Sequence, residues 1–493
     1  MSETTSGVTG QVTLADGQSG LSILYQLLNQ AAQTFTEAFA QVNVAVGEKR
    51  FRAIYGQLLP EFELARLCSP QRHQIGQFMC EQLQQFVCWQ SEAGEVPLSE
   101  TLQLAQPGLA LQQHSFAGEP GWSASVVYRG QRHDGAALAT LGQQLAQRGL
   151  ISAPAGQSLS WLHNHALTDG KLNLQGRKIA VLGGGAEMAP TRLWLEAGAE
   201  VLWLDVQAPP EDWFGSESLA GTLWWPQQPA DLLTQPQAIL ATLLEFADGQ
   251  PLDLGLYAYA PGQARELRLT ACMNALVEAL PAQVVGTVTM LVSPTTPTAL
   301  SDQDLQMMQT RRQQRPTWEA LCDGLRLLGQ GGGALSGTSQ SAASQTQAAA
   351  VTRTVVTIQG ASYQAAQYLG KILMAETWST SGQLGGTGQA LRVSANTAAI
   401  TRTRSLAHPV FTAAFGGAAA MAVETMTPRQ SSRLNGMLAV SDWLQEELPV
   451  PGQIRVHGGI HTLPYPLESA LRIAAGIGFA RSPRLLRGLF GGT

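Results

Sequence analysis

Charge, cysteine and long apolar runs are all scarce in this chain of 493 residues. Charged residues make up 13% of it, about half the share that is usual in globular proteins. The formal net charge is −6, so the composition offers no bulk attraction to nucleic acid and disfavours a genomic DNA-binding protein. No stretch reaches the roughly 18 consecutive apolar residues that predict a transmembrane helix. We therefore expect neither a nucleic-acid-binding protein nor a membrane-spanning one.

The five cysteines are odd in number and far apart, and no two form a Cys-x-x-Cys pair. This spacing indicates neither a disulfide framework nor a zinc ribbon, and no histidine pair has a carboxylate or thiol at ligand spacing. We therefore predict no metal site, and free thiols as in a reducing compartment. The polar N-terminus lacks the apolar core of a signal peptide, which favours a cytoplasmic protein. The absence of a Gly-x-Ser-x-Gly elbow and of a Gly-Lys-Ser/Thr phosphate loop disfavours a serine hydrolase and an ATPase.

The length suggests more than one domain, and the pattern of apolar residues changes near residue 176. Residues 1–175 carry helical spacing, as in "LSILYQLLNQAAQTF", and we predict a mainly helical N-terminal domain. From residue 176, short β-rich runs such as "KIAVLG", "EVLWLD" and "LDLGLYAYA" alternate with helical runs. Near-continuous apolar strands separated by helices are typical of a parallel sheet covered on both faces. Residues 176–493 are thus predicted to form an α/β domain with a doubly wound, Rossmann-type sheet.

Two segments of this α/β region break the pattern. Residues 328–352 are rich in Gly, Ser and Gln, and their composition predicts a flexible insertion that is either disordered or a functional lid. The C-terminal stretch "LESALRIAAGIGFARSPRLLRGLF" carries four arginines among apolar residues. Peripheral membrane contact is one interpretation of it. Because glycines and a proline interrupt the amphipathic pattern, a core-packing helix with a basic tail is favoured.

The stretch "KIAVLGGGAEMAPTRLWLEAGAEVLWLD" predicts a strand, a glycine-rich turn, a helix and a second strand that ends on an acid. Gly183, Gly184 and Gly185 permit a sharp turn and leave room for a pyrophosphate at the backbone N–H groups. Asp205 lies 20 residues beyond Gly185, where an acid accepts hydrogen bonds from the adenosine ribose. Since a carboxylate there repels a 2′-phosphate, NAD(H) is favoured, with NADP(H) as the alternative. Glu187 opposes this interpretation, because a carboxylate near a pyrophosphate is repulsive unless it points away or pairs.

Further segments resemble the short-chain dehydrogenase/reductase family over residues 176–440, apart from residues 296–352. "PADLLTQPQAI", "DLGLYAYAPG" and "LRVSANTAAITRT" are similar to the family's "DLTDPEAV", its strand ending in "NNAG", and "IRVNAVAPGPTRT". "GASYQAAQYLGK" is similar to the family's catalytic helix, nearest to the form in polyketide ketoreductase domains. The resemblance implies a homodimer through this helix, with Asp231 at the adenine end of a cofactor and Thr401 at its carboxamide or pyrophosphate. The full set of cofactor positions comprises Gly183, Gly184, Gly185, Glu187, Met188, Asp205, Asp231, Ala260, Pro261, Gly262 and Thr401.

The resemblance also implies a group that protonates a carbonyl oxygen. A tyrosine does this when a nearby cation lowers its pKa, and a serine hydroxyl helps to hold the oxygen. Ser293 ends the strand "GTVTMLVS", where the family serine stands. Tyr363 is the first choice for the donor and Tyr368 the second. The family's Tyr-x-x-x-Lys becomes Tyr-x-x-x-Gln at Gln367, and Lys371, two helical turns beyond Tyr363, is the candidate for the missing cation.

Two hypotheses of function follow. The first is an NAD(P)-dependent oxidoreductase of the short-chain type, which reduces a carbonyl or oxidises a hydroxyl on an apolar or acyl-type substrate. The second is a non-catalytic binding or scaffold protein of the same fold in a lipid or polyketide pathway, which the altered tyrosine motif and Glu187 favour. Asn274 resembles the family's helix asparagine that holds a water. For Tyr363 and Tyr368 the alternative to catalysis is packing in a core or dimer face, and their position relative to the glycine-rich loop distinguishes the two.

Overall fold

A seven-stranded sheet forms the centre of the fold, and the computed structural model describes residues 10–262, 264–340, 346–381, 390–397, 399–406, 408–445 and 455–485. In chain order the strands are β1 (Gly10–Leu14), β2 (Val87–Ser91), β3 (Gly94–Pro97), β4 (Leu111–Ser115), β5 (Trp122–Ser123), β6 (Ser125–Tyr128), β7 (Gln131–Asp134), β8 (Lys171–Leu172), β9 (Lys178–Leu182), β10 (Glu200–Leu204), β11 (Thr222–Pro226), β12 (Leu252–Leu256), β13 (Val285–Val292), β14 (Ala334–Gln340), β15 (Thr346–Thr352), β16 (Arg392–Thr397), β17 (Ile400–Thr401) and β18 (Thr425–Met426).

The α-helices cover both faces of this sheet and form the N-terminal region. They are α1 (Gly20–Thr34), α2 (Glu48–Cys68), α3 (Arg72–Gln85), α4 (Leu98–Thr101), α5 (Gly135–Gln147), α6 (Ala153–Trp161), α7 (Thr191–Glu196), α8 (Pro236–Ala247), α9 (Arg265–Ala279), α10 (Asp302–Gln313), α11 (Thr317–Gly324), α12 (Ala361–Gln367), α13 (Met374–Ser381), α14 (Pro409–Gly417), α15 (Pro428–Leu444) and α16 (Leu467–Arg481). A π-helical turn, Tyr368–Leu373, joins α12 to α13. We call these three segments together the tyrosine helix.

The order of strands across the sheet is β16-β13-β12-β9-β10-β11-β4. The first six strands are mutually parallel, and β4 adds an antiparallel edge next to β11. Within the parallel part of the sheet, the chain enters at the central strand β9 and adds β10 and β11 on one side. It then returns to β12, next to β9, and adds β13 and β16 on the other side. This is the doubly wound order of dinucleotide-binding folds, with its switch point between β9 and β12. The predicted α/β class with a mostly parallel sheet is thus confirmed.

The N-terminal helices pack directly on the tyrosine helix. One continuous core contains Leu24 and Leu27 of α1, Leu254 of β12, and Leu369 and Leu373 of the π-helical turn. The approach is close, since a Cβ added at Gly20 would lie 2.5 Å from the Ser362 Oγ. The face of the tyrosine helix toward α1–α3 is therefore occupied within the chain, and the homodimer contact expected through this helix has no free face there. The predicted boundary at residue 175 stays a prediction about folding units.

The Gly/Ser-rich insertion differs from the flexible segment that its composition predicts. Strands β14 and β15 pair in antiparallel register, from Ala334 opposite Thr352 to Gln340 opposite Thr346. The ribbon packs on α2, where a Cβ at Gly337 would lie 2.9 Å from the Cys68 Sγ. Small residues allow that close approach, so the composition reflects packing against a helix. Residues 341–345 lie outside the described residues.

The C-terminal helix α16 packs against α14 with a close backbone approach. A Cβ at Gly417 would lie 1.9 Å from the Ala474 carbonyl oxygen, and one at Gly478 would lie 1.8 Å from that of Ala413. Gly478, one of the glycines that interrupt the amphipathic pattern, therefore lies in a helix–helix contact, in agreement with the favoured core-packing helix. The membrane-contact alternative depends in part on residues 486–493, which lie outside the described residues. Among the helices described, none has the length and apolarity needed to cross a bilayer.

Candidate functional site

The carboxyl ends of the parallel strands open onto a cavity of about 580 Å³. It lies beside the switch point between β9 and β12, where doubly wound sheets bind their ligands. Tyr257 and Tyr259 follow β12, and Ser293 follows β13, so that two adjacent strand ends form one wall. Helices α14 and α16 supply an apolar wall with Phe411, Ala414, Phe415, Ala470, Leu471 and Ala474. The cavity is therefore apolar along the helices and polar at the strand ends.

Many of the residues predicted from the sequence meet in this cavity. Its lining includes the predicted cofactor residues Met188, Ala260, Pro261, Gly262 and Thr401, together with the predicted catalytic residues Ser293, Tyr363, Gln367 and Lys371. The other predicted residues lie outside the lining, and their positions are described below. Three of the segments that carry the family resemblance, "DLGLYAYAPG", "GASYQAAQYLGK" and "LRVSANTAAITRT", thus each contribute to the lining of one cavity.

Tyr363 and Ser293 both line the cavity wall. Ser293 is held by its own strand end, since its Oγ lies 2.8 Å from the Thr295 Oγ1 and its backbone N–H donates to the Gln367 Oε1 at 2.8 Å. Burial raises the pKa of Tyr363, the charge of Glu266 raises it further, and a hydrogen bond with Ser293 lowers it. Tyr363 is therefore a neutral phenol at ordinary pH, which donates a hydrogen bond and does not act as a base.

Glu266, the second residue of α9, is a buried carboxylate that sequence reasoning missed. Its Oε1 accepts hydrogen bonds from the Gln367 Nε2 at 2.8 Å and from the Lys371 Nζ at 3.2 Å. Its Oε2 accepts from the Ala260 N–H at 3.3 Å. The Lys371 ammonium also donates to the Leu291 carbonyl at 3.1 Å. The cation proposed for the tyrosine is therefore present on the wall, but its charge is already matched by Glu266.

The π-helical turn explains how Lys371 shares a face with Tyr363. The two residues are eight apart, which exceeds the roughly 7.2 residues of two α-helical turns. A π-helical turn takes more residues, so it absorbs the excess, and such turns frequently occur at functional sites. Asn274 supports this segment, because its Nδ2 donates to the Gly370 carbonyl at 2.8 Å. Its Oδ1 is buried without a partner among the described residues, which leaves an acceptor for a water.

Tyr368, the second choice for the proton donor, lies away from the cavity and is corrected here to a structural residue. Its hydroxyl donates to the Glu63 Oε2 at 2.6 Å, and its side chain is fully buried. Arg66 binds Glu63 through its Nε at 2.7 Å and Glu376 through its Nη2 at 2.8 Å. We call Glu63, Arg66, Tyr368 and Glu376 the polar clamp. It joins α2 to the tyrosine helix, on the face opposite to the cavity.

The glycine-rich loop lies between the ends of β9, β10 and β12. Gly183 has φ +91°, and a Cβ there would lie 2.3 Å from the Ala258 backbone nitrogen. At Gly184 an added Cβ would meet the Trp203 ring at 2.7 Å. The Gly185 N–H donates to the Asp205 Oδ2 at 2.9 Å, so that the loop and the acid are in direct contact. A second cavity of about 80 Å³ lies at Asp205.

Glu187, the main objection to a nucleotide, is paired in the structure. Its carboxylate accepts hydrogen bonds from the Tyr259 hydroxyl at 3.2 Å, the Arg404 N–H at 3.0 Å and the Arg404 Nε at 3.2 Å. Because the Arg404 side chain is 91% exposed, this pair stays in contact with solvent. The negative charge beside the glycine-rich loop is thus compensated. The N–H groups of Gly183, Gly185 and Ala186 already donate to the Leu204 carbonyl, the Asp205 Oδ2 and the Gly183 carbonyl. An NAD-type group would therefore have to replace the Gly185–Asp205 bond to place its ribose at Asp205 and its pyrophosphate at the loop.

Two further cofactor residues have local partners. The Asp231 Oδ1 accepts from the Leu233 N–H at 2.9 Å, next to the point where the Ala230 N–H donates to the Asp205 carbonyl at 2.9 Å. Asp231 thus lies beside Asp205 but turns part of its carboxylate back to its own loop. The Thr401 Oγ1 donates to the Ala399 carbonyl at 2.7 Å, which leaves Thr401 on the cavity wall with its hydroxyl proton already used.

Sequence reasoning missed Glu266, Tyr259 and Arg404. In "ARELRLT" Glu266 has the pattern of an exposed charge at a helix start, and only the fold reveals its burial. Tyr259 stands at the alanine of the family's "NNAG", and this substitution was the available signal for a side chain that enters the cleft. Protein-family models and curated proteins were both searched with the chain, and neither search found a match.

Proposed function

We propose that the protein is an NAD(H)-dependent oxidoreductase of the short-chain dehydrogenase/reductase type that reduces a carbonyl on an apolar or acyl-type substrate. The observation that carries the proposal is an apolar cavity whose wall bears Tyr363 and Ser293 and which also reaches Met188 and the loop after β12. Carbonyl reduction needs a donor at the oxygen and a place for the carbon chain. The cavity offers both at the switch point of the sheet.

The protein groups have separate tasks in this proposal. Tyr363, held as a phenol, donates a hydrogen bond to the carbonyl oxygen, and Ser293 holds the same oxygen from the strand end. The apolar side chains of α14 and α16 bind the chain of the substrate and exclude water. Asp205 and the glycine-rich loop hold NAD(H), which supplies the hydride when it is bound. Because the tyrosine is protonated, reduction of a carbonyl is favoured over oxidation of a hydroxyl.

The second candidate is a non-catalytic protein that binds an apolar ligand. Its support is the Lys371–Glu266 ion pair, in which the ammonium of the altered tyrosine motif is bound by a carboxylate of the same chain. A cation engaged in this way does not promote proton transfer by lowering the pKa of the tyrosine. In this case the cavity would hold a lipid-like or polyketide-like molecule without changing it.

Calorimetric titration separates the two candidates. The wild-type protein is titrated with NAD⁺, NADH, NADP⁺ and NADPH, and the titrations are repeated with Asp205→Ala and with Asp212→Ala, an exposed acid on the turn after β10. We expect saturable heat with the NAD forms, weakened about 10- to 100-fold by Asp205→Ala through loss of a charged hydrogen-bond partner. Asp212→Ala should leave the affinity unchanged.

Turnover is then measured as loss of NADH absorbance with ketones of increasing alkyl chain length. No heat with any of the four nucleotides, from protein with a native circular dichroism spectrum, would reject the oxidoreductase. Binding of the same alkyl ketones by such protein, without turnover, would support the second candidate.

A further inference from the structure

Glu266 is the point at which three parts of the site meet. Its carboxylate receives the Ala260 N–H from the loop after β12, the Gln367 amide from α12 and the Lys371 ammonium from the π-helical turn. Gln367 in turn accepts the backbone N–H of Ser293 at 2.8 Å. One side chain thus links the cofactor-side loop, the tyrosine helix and the strand end that carries the serine.

The burial of these groups requires that they be paired. Glu266, Gln367 and Lys371 are 7%, 2% and 5% exposed. A buried charge without a partner is strongly destabilising, whereas a pair with further hydrogen bonds is tolerated. Lys371 without Glu266 would be a buried cation with only the Leu291 carbonyl and a ligand as partners. Glu266 therefore fixes the position of the Lys371 ammonium.

We propose that Glu266 is a positioning residue that binds Lys371 and Gln367 behind Tyr363 and couples the loop at Ala260 to the tyrosine helix. The inference deepens the proposed function, on which it rests for the role of Tyr363 as a donor. The ion pair replaces the free cation of the family motif, so the site keeps a phenol and does not form a phenolate. Glu266 in this way keeps Tyr363 a neutral phenol, which can donate a hydrogen bond to an oxygen but does not take a proton from one.

The charges that face the tyrosine support this direction. The charge of Glu266 and the neighbouring Tyr259 both oppose ionisation of Tyr363, and the hydrogen bond with Ser293 favours it. Lys371 and Arg265 are the cations on the cavity wall, and Lys371 is bound by Glu266. Glu187 is bound by Arg404. Removing only the charge of Glu266 therefore removes a repulsion that opposes ionisation of Tyr363.

The test is Glu266→Gln, read by NMR of protein labelled at the tyrosine Cζ, with the Tyr363 signal assigned from Tyr363→Phe. No nucleotide or substrate is present, so the outcome does not depend on activity. Near the ordinary tyrosine pKa of about 10, the wild-type signal should remain at the phenol position. In Glu266→Gln it should titrate about 1 to 3 pH units lower than in the wild type, because one nearby charge is removed.

Two further variants keep the test decisive. Glu278→Gln, the same change near the other end of α9, should leave the Tyr363 titration unchanged, and Glu266→Asp should restore most of the wild-type behaviour. If Glu266→Gln does not fold, the double variant Glu266→Gln/Lys371→Met leaves no unpaired charge. In this variant Tyr363 should still titrate at a lower pH than in the wild type. A Tyr363 signal that titrates alike in the wild type and these variants would overturn the proposal, even if NADH binds. A shifted signal without NADH binding would support the coupling and reject the oxidoreductase.

Discussion

Tyr363 and Tyr368 lie five residues apart on the tyrosine helix and meet opposite surroundings. Tyr363 lines a cavity together with Ser293. The carboxylate of Glu266 raises the pKa of Tyr363 through its charge. Tyr368 is enclosed, and its hydroxyl binds Glu63 in the polar clamp. The pKa of each phenol is raised, first by burial. The residue type and the pKa direction are therefore the same, and access to open space is what separates a candidate donor from a structural tyrosine.

The polar clamp shows what the enclosed face requires. Arg66 is fully buried between two carboxylates, and their charges raise its pKa against the effect of burial. Glu376 is buried as well, and Arg66, His73 and Arg72 lower its pKa despite the desolvation. Every charge of the clamp has a partner, as a buried network needs. The cavity face, in contrast, carries neutral hydroxyl groups such as that of Ser293, whose Oγ is bonded to Thr295 at the strand end.

The largest expected effect comes from exchanging each tyrosine for phenylalanine. Tyr363→Phe should lower turnover about 10²- to 10⁴-fold through loss of the proton donor, with little change in the free energy of unfolding. Tyr368→Phe should leave turnover of the folded protein nearly unchanged but lower the free energy of unfolding by about 1.5–3 kcal/mol, because a hydrogen bond to a charged group is lost. Steady-state kinetics and urea unfolding check the two results. A loss of stability in Tyr363→Phe together with a loss of turnover in Tyr368→Phe would contradict the comparison.

Arg66→Met tests whether the polar clamp holds the tyrosine helix. The variant leaves Glu63 and Glu376 buried with fewer partners, so we expect a loss of about 3–5 kcal/mol in the free energy of unfolding. Urea unfolding followed by circular dichroism measures it, and Arg72→Met is the matched control, since Arg72 is partly exposed and shares only Glu376. A loss no larger than that of the control would mean that the clamp is not required for stability.

The smallest effect is in the acid range, where Glu376 of the clamp contributes and Tyr363 does not. The pKa of Glu376 is lowered in the folded protein, so the unfolded state binds more protons as the pH falls through the ordinary glutamate pKa. Its contribution to stability is present above about pH 4.5 and is lost below it, at up to about 1.4 kcal/mol per pH unit. Tyr363 titrates only at alkaline pH and contributes nothing in this range. Unfolding measured from pH 6 downward should be less pH-dependent in Glu376→Gln, and an unchanged slope would contradict the assignment.

Local patterns were sufficient to predict the centre of the sheet. Apolar runs predicted β9, β10 and β12, and the glycine triplet with Asp205 predicted the turn and the acid that contact each other. Ser293 and Tyr363 meet although 70 positions separate them, because the intervening α10, α11 and the β14–β15 ribbon leave the sheet and return. The strand end and the helix flank one cleft, so the length of the insertion does not matter.

The remaining features depend on contacts between distant segments. The burial of Glu266 depends on Lys371 and Gln367, which are about a hundred positions away, and no periodicity marks it. Tyr368 and Tyr363 could not be ranked further from sequence because the π-helical turn changes the phase of the helix between them. The ribbon at residues 334–352 has the composition of a flexible segment, since small residues suit both close packing and flexibility.

The packing of α1–α3 on the tyrosine helix has a consequence for how the site assembles. The resemblance to short-chain dehydrogenases/reductases implies a second subunit on that helix, and a contact between subunits would weaken on dilution. Here the covering helices are tethered to the helix they cover, so their association is an intramolecular step with a fixed effective concentration. This contact should therefore form to the same extent at low and high protein concentration. A cell that makes few copies of this chain would obtain as large a fraction of assembled sites as one that makes many.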